Sequence, residues 1–194
     1  MSPESRRARA PRTDAQRNRD KLVQVARAVF ASADGTVPLE TIAREAEVGI
    51  GTLYRHFPTR EALVEAVYAA ELDDVTGSVA ALLDTLPPEE ALRAWMARYA
   101  AFVATKRGMA ETLRAGWASG RIATPATRER ITAALGTILT AGAKAGTLRA
   151  DVEAQDVTVM LMGTLHASEQ PDQTARLLDL VLAALRVGQS GGHG

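Results

Sequence analysis

Apolar residues return along this chain at helical spacing. Leu22, Val25, Ala26, Val29 and Phe30 fall at i, i+3, i+4, i+7 and i+8, the pattern of one buried helical stripe. Thr13 followed by Gln16 forms a capping box that predicts a helix start, and Gly35 in "ASADG" predicts its end. Thr36 and Pro38 then open a very short second helix with Leu39, Ile42, Ala43 and Ala46 on one face. After "EVG" a third short helix sets Leu53 and Phe57 one turn apart. Pro58 stops it, because the residue before a proline disfavours the helical region. Thr59 caps a fourth helix from Arg60, with Leu63, Val64, Val67 and Tyr68 inward.

Beyond Leu86 the pair Pro87–Pro88 breaks the chain again. Further helices are predicted over 89–106, 109–118, 125–145, 157–167 and 171–187, and "GQSGGHG" reads as a flexible tail. No alternating Val, Ile or Thr run is bounded by turn residues, so no strand is expected. The expectation is an all-α fold of about nine helices. Residues 1–12 form a disordered basic arm, 13–62 a small helical domain, 63–187 a larger helical body, and 188–194 the tail.

Composition narrows the function. The chain has 194 residues and no cysteine, which excludes disulfides and thiolate sites and fits a reducing compartment. The basic start "MSPESRRARAPR" is not followed by an apolar stretch, so it does not read as a secretory signal. No apolar run approaches a membrane span, and a cytoplasmic protein without a membrane partner is expected. Net charge is zero but uneven: residues 1–60 carry 11 Lys or Arg against 7 Asp or Glu, and residues 61–194 carry 12 against 16. That asymmetry turns the N-terminal part toward a polyanion, unless the basic tail is merely solvated.

The stretch Val48–Leu63, "VGIGTLYRHFPTREAL", sits in that basic part. Two short helices joined by a tight turn and buttressed by a longer one make a helix-turn-helix. Leu39, Ile42, Ala43, Ala46, Val48, Leu53 and Phe57 anchor the pair against Leu22, Val25, Val29 and Phe30. The opposite face of the third helix then offers Gly49, Ile50, Gly51, Thr52, Tyr54, Arg55 and His56, short or hydrogen-bonding groups that suit a major groove. The glycines admit close approach of a duplex and leave amides open to a phosphate. The N-terminal arm either reaches an adjacent minor groove or serves as a mobile solubilising tail.

The run "TIAREAEVGIGTLYRHFPTREAL" resembles the DNA-binding signature of the TetR family of bacterial repressors. Phe30, the Ile42–Ala43 pair, Val48, Gly51, Thr52, Leu53, Tyr54 and Phe57 carry the resemblance, which covers Leu22 to Tyr68. "RHFPTREAL" together with "FVATKRGMAETLRAGWASG" is similar to an actinobacterial subgroup with an SbtR-like C-terminal domain. The resemblance implies that Thr52 and Tyr54 touch operator backbone or base edges and that His56 lies beside a phosphate. It implies that Arg60 is a basic phosphate clamp, with Arg where Lys is commoner. It also sets Glu40 and Thr41 at groove-facing positions. Glu40 then either accepts from a cytosine amino group or is a solvated first-turn carboxylate favoured by the helix dipole. Two residues depart from the pattern. Glu47 stands at the turn where Gly is usual, at a cost of about 1 kcal/mol, and Gly49 replaces the common Ser cap.

One module reading one groove binds weakly, and specific affinity calls for two heads about 34–36 Å apart. The resemblance implies a homodimer joined through the last two long helices as a four-helix bundle. Val157, Met160, Leu161 and Leu165 supply one stripe; Leu177, Leu178, Val181, Leu182 and Leu185 supply the other, with intramolecular core as the alternative. It further implies an effector pocket in the body. Trp95, Tyr99 and Phe102, at i, i+4 and i+7, with Met109 and Trp117, serve either as its wall or as core. Arg114 and Glu111 set its polarity or face solvent, and His166 is a satisfied buried or interfacial group or a ligand contact.

The implied function is a ligand-responsive transcriptional regulator, a repressor that binds a palindromic operator in double-stranded DNA as a homodimer and leaves it on binding an unknown small molecule. The alternative is a helical small-molecule-binding protein with weak or no specific DNA binding. Catalysis has little support. His56, His166 and His193 are too scattered for a metal site, no phosphate-binding glycine pattern follows a strand, and Asp73–Asp74 has no base or nucleophile nearby. No cofactor, metal or catalytic residue is expected.

Overall fold

The computed structural model describes residues 9–32, 37–110, 112–114, 124–168 and 170–188. Its helices in chain order are α1 Arg9–Ser32, α2 Leu39–Glu45, α3 Ile50–His56, α4 Arg60–Thr85, α5 Pro88–Gly108, α6 Thr124–Lys144, α7 Ala154–Ala167 and α8 Pro171–Leu185. The fold is all-α. Among the described residues, extended pairing is limited to one isolated bridge, Leu148 with Arg186. The helix expected over 109–118 shows as helical residues at 110 and 112–114; its remainder, with Glu111 and Trp117, lies outside the described residues, as does the stop at Gly35. Helix α1 begins at Arg9 rather than Thr13, inside the expected arm. Pro11 permits this because a first-turn residue has no N–H partner to lose.

The chain divides into two compact units, Met1–Ala70 with Ala104–Ile122, and Glu71–Val103 with Ala123–Gly194. The division runs through α4 and α5 and differs from the expected boundary at residue 62. In unit 1 the start of α4 is itself core, burying Leu63, Val64, Val67 and Tyr68, while Met109 and Leu113 return to the same unit and are buried too. Helices α1, α2 and α3 pack pairwise on one another. The buried stripe of α1 is Leu22, Val23, Ala26 and Phe30, whereas Val25 and Val29 are half-buried. Packing against two helices rather than one widens the inward face and brings Val23 into it.

The turn between α2 and α3 is a Schellman motif built without glycine. Val48 donates to the Ala43 carbonyl at 3.0 Å and Glu47 to the Arg44 carbonyl at 3.0 Å. Glu47 takes the left-handed position at φ 54°. Its carboxylate accepts from Lys21 Nζ at 2.8 Å, tying the turn to α1. That hydrogen bond, and then the lysine's charge, hold the Glu47 carboxyl below the usual range.

Unit 2 uses the same motif with glycine. At the end of α6, Thr147 donates to the Gly142 carbonyl at 3.0 Å and Gly146 to the Ala143 carbonyl at 3.1 Å, with Gly146 at φ 69°. Leu148 folds back so closely that a Cβ on Gly142 would lie 2.8 Å from the Leu148 Cβ. The segment then meets the end of α8, where Arg149 donates to the Leu185 carbonyl at 2.8 Å. Helix α7 packs on α6 and on α8. No helix among the described residues is long and apolar enough to cross a membrane.

Candidate nucleic-acid interface

Helix α3 is seven residues long and buries only Leu53. Pro38 and Gly49, in extended conformation, set the starts of α2 and α3. Phe57 closes α3 by donating to the Leu53 carbonyl at 2.8 Å and is itself buried. With Leu53 and Phe57 held inward, Gly49, Ile50, Gly51, Tyr54 and Arg55 are exposed, and Thr52 and His56 are half-buried. A Cβ on Gly49 or Gly51 would meet nothing within 4 Å, so the fold itself leaves this surface bare. On α2, Glu40 is exposed and Thr41 half-buried.

The amides of Thr52 and Leu53 close onto the Gly49 carbonyl at 2.8 and 3.2 Å. Arg60 does not stand outward as a clamp. Its guanidinium donates to the Val37 carbonyl and, through Nε, to Thr112 Oγ1 at 3.3 Å, and it lies 5.6 Å from the centre of the Phe30 ring. A planar cation that stacks on an aromatic face is held by packing as well as by charge. Two further cations, Arg44 and Arg19, stand outside the motif of α3. Arg44 follows Glu40 and Thr41 by one turn on α2 and is 73% exposed, so helical spacing alone points to it. Arg19 lies 5.2 Å from the Phe57 ring centre, a contact that no local spacing reveals.

The chain is related to known proteins across both units. Residues 22–67 match the profile described as bacterial regulatory proteins, tetR family. Residues 87–187 match the C-terminal domain of SbtR-like transcriptional regulators. The TetR transcriptional regulator SCO0520 of Streptomyces coelicolor is 48% identical, over 87% of this chain and 98% of its own, with a TM-score of 0.79. The chain belongs to the TetR family. It is a DNA-binding transcriptional regulator and not an enzyme. A TetR transcription regulatory protein of Mycobacterium vanbaalenii is 34% identical, over 91% of this chain and 99% of its own, with a TM-score of 0.71. No curated protein matches.

For a TetR-family regulator the remaining expected sites lie outside the reading head. Trp95, Tyr99 and Phe102 form a stacked column, with ring centres 5.5 and 6.2 Å apart, and each is at most 4% exposed. Trp95 Nε1 donates to the Val75 carbonyl at 3.1 Å. All three rings are buried, and Met109 is buried within unit 1. Grooves of about 630, 450 and 420 Å³ run along α6 in unit 2, and none is lined by the aromatic column. Arg114 is exposed. His166 is exposed rather than buried, its Nδ1 2.7 Å from the Met162 carbonyl one turn back.

The apolar stripes of the last two helices also divide differently from the expectation. Val157, Leu161, Leu165, Leu178, Val181, Leu182 and Leu185 are buried within the single chain, and Leu177 is half-buried. Of the residues expected to meet a second copy, Met160 alone is exposed. The outward apolar residues of this region are Val159 and Met160 on α7, Leu180 on α8 and Val187 just beyond it. Each helix carries two apolar rows, and helical spacing does not say which row the neighbouring helix takes.

Proposed function

We propose that this regulator is a repressor that binds a palindromic operator as a homodimer and is released by a small molecule. The observation that carries the reading is α3, which exposes Ile50, Tyr54 and Arg55 around bare glycines while Leu53 and Phe57 fix it from behind. Thr52 and His56 border that face, Glu40, Thr41 and Arg44 extend it along α2, and base-edge and phosphate contacts divide among these residues. Arg60 is assigned a supporting role, holding the Val37 backbone and Phe30, and not a phosphate.

The second copy docks on Val159, Met160, Leu180 and Val187, large apolar side chains left in water by the single chain. The effector acts in unit 2 by opening the packed column of Trp95, Tyr99 and Phe102. A ligand that must displace close-packed rings binds one conformation better than another, which is the requirement for a switch. Helix α4, shared by the two units, carries the shift. The site of action is the cytoplasm, where the operator is.

The test is retention of a randomised duplex pool by the full chain at two salt concentrations, followed by sequencing. The reading expects an enriched palindrome and a steep loss of affinity with salt as phosphate counterions are recaptured. Retention without an enriched motif reduces the chain to a non-specific binder. No retention at either salt leaves a ligand-binding helical protein.

A further inference from the structure

Among the described residues of unit 1, the exposed large apolar side chains are Ile50 and Tyr54, 38% and 44% exposed. Both belong to α3, four positions apart, and so lie one turn from each other on one face. The other described large apolar residues of the unit are buried or half-buried. Ile50 is flanked by Gly49 and Gly51, where added Cβ atoms would meet nothing within 4 Å, so its two chain neighbours leave the surface beside it open. An isoleucine in this place lies outside the buried core and is a poorer helix former than Ala, Leu or Lys.

The surface around this ridge is polar, with Glu40, Arg44 and Arg55 exposed. The base edges of a major groove present hydrogen-bond donors and acceptors and one apolar group, the C5 methyl of thymine. We propose that Ile50 reads a thymine in each half-site through that methyl group, an assignment that rests on the DNA-binding reading of α3. Tyr54 continues the ridge but carries a hydroxyl that can donate to a phosphate oxygen, so the purely apolar contact falls to Ile50.

Missing-methyl interference tests this with the full chain. The duplex enriched from the randomised pool is remade with deoxyuridine scattered in place of thymidine, and the bound and free fractions are compared position by position. Deoxyuridine pairs as thymidine does and lacks only the methyl. Wild type is expected to disfavour deoxyuridine at one position in each half-site by roughly fourfold, the loss of one buried methyl group. Ile50→Ala is expected to lose that discrimination while keeping the wild-type salt dependence, since its phosphate contacts are unchanged. Ile50→Val, still branched at Cβ, keeps the discrimination in part. Discrimination of undiminished size in Ile50→Ala, or no thymine position sensitive to methyl loss, overturns the assignment and leaves specific DNA binding standing. A pool that yields no enriched duplex overturns both.

Discussion

The two units expose apolar surface in different ways. Among the described residues of unit 1 the exposed large apolar side chains are Ile50 and Tyr54 on a seven-residue helix, set among polar and charged neighbours. Unit 2 carries Val159, Met160, Leu180 and Val187 on or beside its last two helices, whose opposite rows are core. A narrow apolar ridge in a polar surround matches a groove of mixed donors, acceptors and methyl groups. A second row backed by Leu161, Leu165 and Leu182 is the surface assigned to a second copy.

Leu182 and Leu180, two residues apart on α8, sharpen that contrast most strongly. Leu182 is 1% exposed, and Leu182→Ala should cost about 2–5 kcal/mol of folding stability, read as a lower denaturation midpoint. Leu180 is 66% exposed. Leu180→Asp should leave the helical content intact yet weaken self-association by roughly thirtyfold or more, as for a lost interface hot spot, in sedimentation equilibrium. An unchanged association constant for Leu180→Asp would move the second copy to another face.

Tyr54→Ala should lower operator affinity by roughly tenfold, the worth of one hydrogen bond to a charged group, with self-association unchanged. Equal loss in both measurements would erase the distinction between the two surfaces. The smallest effect concerns Glu47. Its folded-state carboxyl is held low by Lys21, so this contribution to stability is present above the unfolded pKa and is lost as pH falls through the folded one. Glu47→Gln should therefore be slightly less stable than wild type at neutral pH, and the difference should shrink as pH falls through the lowered folded pKa of Glu47. Chemical denaturation over an acid pH series gives the comparison; a difference that does not shrink with falling pH would sever the link to Lys21.

The sequence made the short-range features legible. Thr59 does cap α4, its hydroxyl accepting from the Ala62 amide at 3.2 Å. Glu47 does occupy a left-handed position. Such features depend on a few neighbouring residues and on backbone sterics, which residue identity states directly. Long-range choices were hidden. Arg60 turned inward because Val37, Thr112 and Phe30, distant in sequence, converge on it. The two rows of α7 and α8 were visible as apolar, but which row is core depends on the other helices of unit 2. The aromatic column at Trp95 was visible as a stripe, and only the fold shows its rings stacked and buried.

Hydroxyl-radical footprinting of the full chain on its enriched duplex tests the central claim most directly, because it reads the α3 face and the pairing of two chains together. The account predicts two protected patches on one face of the duplex, about 10 base pairs apart or a multiple of that, both weakened by Leu180→Asp. A single protected patch, or two patches that Leu180→Asp leaves unchanged, would contradict it.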